Sequence, residues 1–148
     1  MTDITKNTIG VTPDSFSGQV APVIPSCVAG EALGYATPVF LDTDGEVYMS
    51  VSTKTLDRVV TETVDSDAGV VTLKESKCIG FTPKSYFVGA KNVAIYGKGT
   101  IFPDYGTGLT AGTHLCDSGP AGVLSDVAVA AGDRPVALVI SATDIVVL

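Results

Sequence analysis

His114 is the only histidine of the chain, and it stands two residues before Cys116 in the segment Thr-His-Leu-Cys-Asp. Any Ser-His-Asp or Cys-His mechanism would have to recruit it, because a hydroxyl or thiol needs an adjacent base or a lowered pKa to act as a nucleophile. Alternate residues of a strand share a face, so His114 and Cys116 could touch. The segment offers no helix N-terminus or strained elbow to activate either group. A structural or surface histidine is therefore expected. Asp42 to Glu46 (DTDGE) spaces its carboxylates like the start of a calcium loop, but it lacks the third acidic ligand and the bidentate glutamate at loop position 12. A hairpin turn accounts for it, and a polar turn accounts for Asp65 and Asp67 in VDSDAGV, with weak surface cation binding as the most either could offer. Lys98 lies in YGKGTIF, which has no G-x-x-x-x-G-K-[ST] pattern and no helical segment after it, so a solvated lysine in a glycine-flanked turn is expected. Cys27, Cys78 and Cys116 are widely spaced, form no C-x-x-C pair, and have one histidine to help them. They read as reduced core thiols, in keeping with a reducing cytoplasm, and neither a metal nor another cofactor is expected.

The stretch GTIFPDYGTG partly resembles the G-x-I-D-x-D-Y-x-G motif of trimeric β-fold dUTP pyrophosphatases. At position 102, where that family's aspartate activates the attacking water, this chain has Phe102. The arginine-serine motif and the glycine-rich C-terminal motif of the family are also missing. Hydrolysis cannot proceed by general-base catalysis without the base, so no enzymatic activity is expected and pyrophosphate release from a nucleotide should be undetectable.

The elements that would hold these residues are short. A chain of 148 residues suggests one domain with a tail, able to bury roughly two-thirds of its unfolded surface. Hydrophobic residues are 45% and charged residues 17%, poor in charge for a monomer whose whole surface faces water, so part of the apolar surface should meet a partner. A net charge of −7 disfavours nucleic acid as that partner. No apolar run approaches the roughly 20 residues of a spanning helix, and MTDITKNTIG lacks the basic and apolar regions of a signal peptide. Neither membrane insertion nor secretion by that route is expected.

Residues 1–30 carry Pro13, Pro22 and Pro25, several serines and threonines, and scattered apolar residues. They read as an extended arm, because proline breaks helices and cannot donate within a sheet ladder. Residues 31–148 read as an all-β domain, a small β-barrel or β-sandwich, in which Val-, Ile-, Tyr- and Phe-rich runs alternate with Gly, Asp and Pro. The clearest hairpin is PVFLD-TDG-EVYMS, with Val39 and Leu41 alternating against Phe40, a turn at Asp44-Gly45, and the alternation resuming at Val47 and Met49. Further strands are expected at Val59 to Val64, Val70 to Leu73, Cys78 to Thr82, Asn92 to Tyr96, Gly99 to Phe102 and His114 to Asp117. A last hairpin turns at Ala142-Thr143-Asp144. Its first strand, nearly continuously apolar from Val136 to Ile140, is expected to be buried on both faces at the centre of the core. Gly97, Gly99, Gly106, Gly108 and Gly112 suit tight turns and bulges. No repeat of 20 to 50 residues is visible.

Over residues of about 31 to 148 the order of blocks resembles the head-decoration, or cement, proteins of tailed bacteriophages. The segments that carry the resemblance are GYATPVFLDTDGEVY, IGFTPKSYFVGAKNVAIYGKGTIF, GLTAGTHLCDSGPAG and GDRPVALVISATDIVVL. The resemblance implies a virion protein on the capsid exterior, bound to the major capsid protein as a homotrimer at local threefold positions, with no catalytic residues to transfer. The composition points the same way, toward a protein that sticks to protein. An arm of 30 residues reaches up to roughly 100 Å and can add a strand to a neighbour's sheet edge. Its bulky apolar residues outside the proline cluster, Ile4, Ile9, Val11, Phe16 and Val20, are the expected capsid anchors. Two other classes compete: a virion-surface module that binds carbohydrate or a receptor, weakened by the absence of Trp and by tyrosines lying within predicted strands, and a degenerate pyrophosphatase-like enzyme.

Overall fold

The computed structural model describes residues 3–7, 22, 24–42, 44–51, 78–127 and 135–148. The expected strands at Val59 to Val64 and Val70 to Leu73 lie outside them. Among the described residues there is no helix, and the strands form two sheets, so the chain is all-β.

The strands are β1 (Asp3–Ile4), β2 (Ile24–Ala29), β3 (Pro38–Leu41), β4 (Glu46–Met49), β5 (Gly80–Phe81), β6 (Val93–Ile95), β7 (Ile101–Phe102), β8 (His114–Asp117), β9 (Leu124–Ser125), β10 (Pro135–Val139) and β11 (Ile145–Val147). One sheet runs β5-β3-β4-β2-β6. It closes on itself where Phe81 and Tyr96 exchange backbone hydrogen bonds of 2.8 Å in both directions. Ala29, Leu33, Val39, Val47, Val93 and Ile95 fill the resulting small barrel. Closure depends on a missing side chain: a Cβ on Gly80 would lie 2.5 Å from the Tyr96 carbonyl oxygen and 2.7 Å from Ile95 Cγ2. Only glycine lets the two strands approach this closely.

The second sheet, β1-β9-β8-β10-β11-β7, curls into a half-barrel. Its concave face carries Leu115, Leu124, Ala137, Val139, Ile145, Val147 and Phe102, all buried in one cluster with Tyr105 and Phe81. Phe81 belongs to the closed barrel but points out of it, and its ring meets that of Phe102 at a centroid distance of 5.8 Å. This contact joins the two sheets: Phe81 takes its place in the core of the half-barrel, while the closed barrel keeps a core of its own. Each such fully buried side chain stabilises the fold by about 1.5–3 kcal/mol in area terms.

The β3–β4 hairpin forms as the alternation predicts, in the register Val39↔Met49, Phe40↔Tyr48 and Leu41↔Val47. Val39 and Val47 face the barrel interior, and the turn is closed by Gly45 N–H donating to the Asp42 carbonyl at 2.9 Å, with Gly45 at φ +82°. The last hairpin also forms, in the register Leu138↔Val146, but its expected burial on both faces needs correction. Ala137 and Val139 are buried, whereas Val136 and Leu138 are half-buried and Ile140 is 40% exposed. The outward side of this apolar run is therefore only partly buried.

Ile24 to Ala29, read from sequence as the end of the arm, pairs on both sides, parallel to β4 and antiparallel to β6. Its proline is tolerated because the register shifts between Ile24 and Cys27, so Pro25 sits where the ladder is interrupted.

Candidate functional site

Three surfaces of the described residues combine exposure with shape or charge. The first is built on the N-terminal segment. Asp3 and Ile4 pair with Ser125 and Leu124 at one edge of the half-barrel, and Ile4 packs against its core. Asn7 then ties the segment to the loop after β7, at the other edge. Its N–H donates to the Tyr105 carbonyl at 2.8 Å, and its side-chain amide donates to the carbonyls of Asp104 at 2.6 Å and Gly106 at 3.3 Å. Thr107 Oγ1 donates to Asn7 Oδ1 at 3.1 Å, and Tyr35 Oη donates to the Asn7 carbonyl at 2.6 Å. Every polar group of Asn7 is thus used, which fixes the segment across the open seam. Lys6 lies against the Tyr35 ring at 4.5 Å and donates to the Tyr35 carbonyl and to Thr37 Oγ1. Burial lowers its pKa from 10.5 to about 8, because a desolvated ammonium is disfavoured.

Beside this segment lies an open cleft of about 400 Å³. Ile4, Leu109, Leu115 and Val139 give it an apolar floor; Asp3 and Asp126 bring carboxylates, and Thr110 and Thr113 bring hydroxyls.

The second surface is the convex face of the half-barrel. Register places Ile101, Val146, Leu138 and His114 side by side across β7, β11, β10 and β8. Val136 and Leu148 extend the row, linked by Leu148 N–H donating to the Val136 carbonyl at 3.0 Å, and Ile140 and Asp144 end it. A sheet face open to water is ordinarily polar at these positions. Here it is apolar over three neighbouring strands.

The third is the turn at Phe87 to Ala90 on the closed barrel. Phe87 is 77% and Val88 64% exposed. The turn is nevertheless firmly held: Ala90 N–H donates to the Phe87 carbonyl at 3.1 Å, Gly89 stands at φ +84°, and its N–H donates to the Ala29 carbonyl at 2.8 Å. On its leading side, Tyr86 and Leu33 exchange two backbone bonds of 2.9 Å.

The residues singled out by sequence for chemistry are dispersed. His114 is exposed on the convex face, while Cys116 is buried and pairs with Ser125 and Pro135. Burial, and then the Asp117 carboxylate, push the Cys78 thiol up to about 12, and burial also raises Cys27. Raised thiols are poor nucleophiles at neutral pH. Phe102 is in the core and Asp104 is exposed at φ +56°. Tyr105 is fully buried, and its phenol is held protonated first by burial, then by the Asp117 carboxylate and by Tyr35. Lys98 is exposed in a turn closed by Thr100 N–H donating to the Gly97 carbonyl at 3.1 Å. No cluster of three His, Cys, Asp or Glu side chains suited to a metal occurs among the described residues. No helix among them is long and apolar enough to cross a membrane.

Of the expected anchors, Ile4 is half-buried and engaged in the chain's own core. Ile9, Val11, Phe16 and Val20 lie outside the described residues, as do Asp65 and Asp67. Sequence reasoning missed Lys6 and Asn7, whose partners are distant in the chain, and it passed over the Phe87 turn, which lies between the strands expected at Cys78 to Thr82 and Asn92 to Tyr96. No family model, curated protein or solved structure matches the chain.

Proposed function

We propose that the chain is a structural virion protein that binds the outer surface of a tailed-bacteriophage head, on the major capsid protein, as a trimer at local threefold positions. There it stabilises the shell against the pressure of packaged DNA. The observation that supports this most is the convex sheet face, where Ile140 is exposed and Ile101, Val136, Leu138 and Val146 are only half-buried in a well-formed sheet. Contiguous apolar surface of this kind marks interaction sites on proteins that otherwise keep such residues inside. The mechanism is mechanical. Each copy buries its apolar face on the shell, and symmetry repeats a modest contact many times, so that small individual free energies resist expansion and rupture together. The anchor residues Ile9, Val11, Phe16 and Val20 follow the segment that Asn7 fixes, which sets the point from which they reach a neighbour.

Co-sedimentation with empty expanded heads tests the proposal. The full chain should pellet with heads at a near-fixed ratio to the major capsid protein. Deletion of residues 1 to 20 should reduce this, and undiminished binding would reject the anchor role. Heads lacking the protein should lose DNA at lower temperature or lower magnesium. A full chain that stays in the supernatant would reject the proposal itself.

A further inference from the structure

The Phe87 turn and the cleft beside Asp3 have opposite shape and opposite charge. From Cys78 to Pro103 the chain carries Lys84, Lys91 and Lys98 and no acidic residue, inside a protein whose net charge is −7. Phe87 and Val88 stand at the tip of a turn within this basic stretch, and Lys84 lies over the Tyr86 ring next to them at 5.5 Å. The cleft of about 400 Å³ has an apolar floor, including Leu109 and Leu115, and the carboxylates of Asp3 and Asp126. Phe87 is 77% exposed, so it does not occupy the cleft of its own molecule.

We infer that Phe87 and Val88 of one copy insert into the cleft beside Asp3 and Asp126 of a second copy. The aromatic ring and the branched side chain leave water for the floor formed by Leu109 and Leu115, and Lys84 and Lys91 approach the two carboxylates at the rim. The turn is closed by its own hydrogen bonds and pinned to Ala29, so little conformational entropy is lost when it docks. An exposed aromatic on a rigid support, surrounded by complementary charge, is the usual make-up of an interface anchor. The contact is heterologous: each molecule offers one knob and one cleft, and successive copies form a closed ring or an open chain according to the rotation between them. One knob in one cleft is a small interface, so association should depend on concentration and weaken with salt. The inference is independent of any binding to a shell.

Sedimentation velocity on the full chain tests it, from micromolar to near-millimolar concentration and at low and high salt. Wild-type protein should shift from monomer to larger species as concentration rises, and less so in high salt. Two variants should each remain monomeric: Phe87→Ser with Val88→Ser, which removes the knob, and Thr110→Arg, which blocks the cleft mouth with bulk and positive charge. Thr110, Phe87 and Val88 are all exposed, so thermal unfolding should match wild type. Lys84→Glu with Lys91→Glu supplies an independent knob variant with the same expected loss. An equimolar mixture of the knobless and cleft-blocked proteins should form a dimer and nothing larger, because one intact knob and one intact cleft remain between them. A wild type that is monomeric throughout, variants that associate as wild type does, or a mixture that stays monomeric would each overturn the inference.

Discussion

Phe81 and Tyr96 exchange both of their backbone hydrogen bonds, at 2.8 Å each, and this one pair turns a five-stranded sheet into a closed barrel. The residue before Phe81 decides whether the pair can form. Gly80 faces Ile95 and the Tyr96 carbonyl at distances no Cβ tolerates.

Gly80→Ala should therefore destabilise the protein by about 1–3 kcal/mol, the range of an overpacked interior. Gly45 is the comparison: nothing lies within 4 Å of a Cβ there, but its φ is +82°. Gly45→Asn should stay within about 1 kcal/mol of wild type, because asparagine tolerates this backbone region. Urea unfolding of both variants checks the contrast, and equal losses would remove the special role assigned to Gly80.

Asn7→Asp should loosen the N-terminal segment. The substitution replaces an amide that donates to the carbonyls of Asp104 and Gly106 with a carboxylate that faces the same two oxygens. Loss of these bonds with like partners left behind costs about 1–3 kcal/mol. Hydrogen exchange should accelerate at residues 3–7 and at Leu124 and Ser125, while the closed barrel keeps its protection. Unchanged exchange at the segment would show that Asn7 does not hold it.

Lys6 makes a signed prediction with pH. Its pKa is 10.5 in the free amine and about 8 in the folded chain, so between these values the unfolded state binds more protons and stability rises with pH. Below pH 8 both states are protonated and the full cost of desolvating the ammonium is present. Lys6→Met keeps the stem and removes the charge. Its stability relative to wild type should be highest near pH 7 and fall as the pH rises through 8 toward 10, read as the difference between the two urea midpoints at each pH. The titrations of Cys78 and the other groups cancel in that difference. A difference that does not change with pH would contradict the assignment.

Leu138→Lys should separate folding from adhesion. Leu138 faces outward between Val146 and His114, so a lysine can keep its ammonium in water, and stability should change by less than about 1 kcal/mol. Pelleting with empty heads should fall several-fold. A variant that binds heads as well as wild type would show that the convex face is not the adhesive one.

Much of the fold was legible because strands bearing one apolar face announce themselves. His114 to Asp117 is a strand with the expected limits, and Asp42 to Glu46 is the turn that its residues describe. The convex face was misread because local composition reports how apolar a strand is, not what covers it: Val136 to Ile140 would read identically with a second layer above it. Strand β2 was obscured by Pro25, whose place at a register shift only pairing partners reveal. The cleft and the Phe87 turn were illegible for a related reason. Their character comes from which residues remain exposed after folding, and Lys6 and Asn7 act on groups far along the chain.

The pairing of Asp3 and Ile4 with Ser125 and Leu124 also orders events in time. During synthesis Asp3 and Ile4 have no partner until Leu124 and Ser125 are made, so this edge of the half-barrel can pair only late. Such distant pairing slows folding and lengthens the interval in which unpaired edges can meet those of other nascent chains.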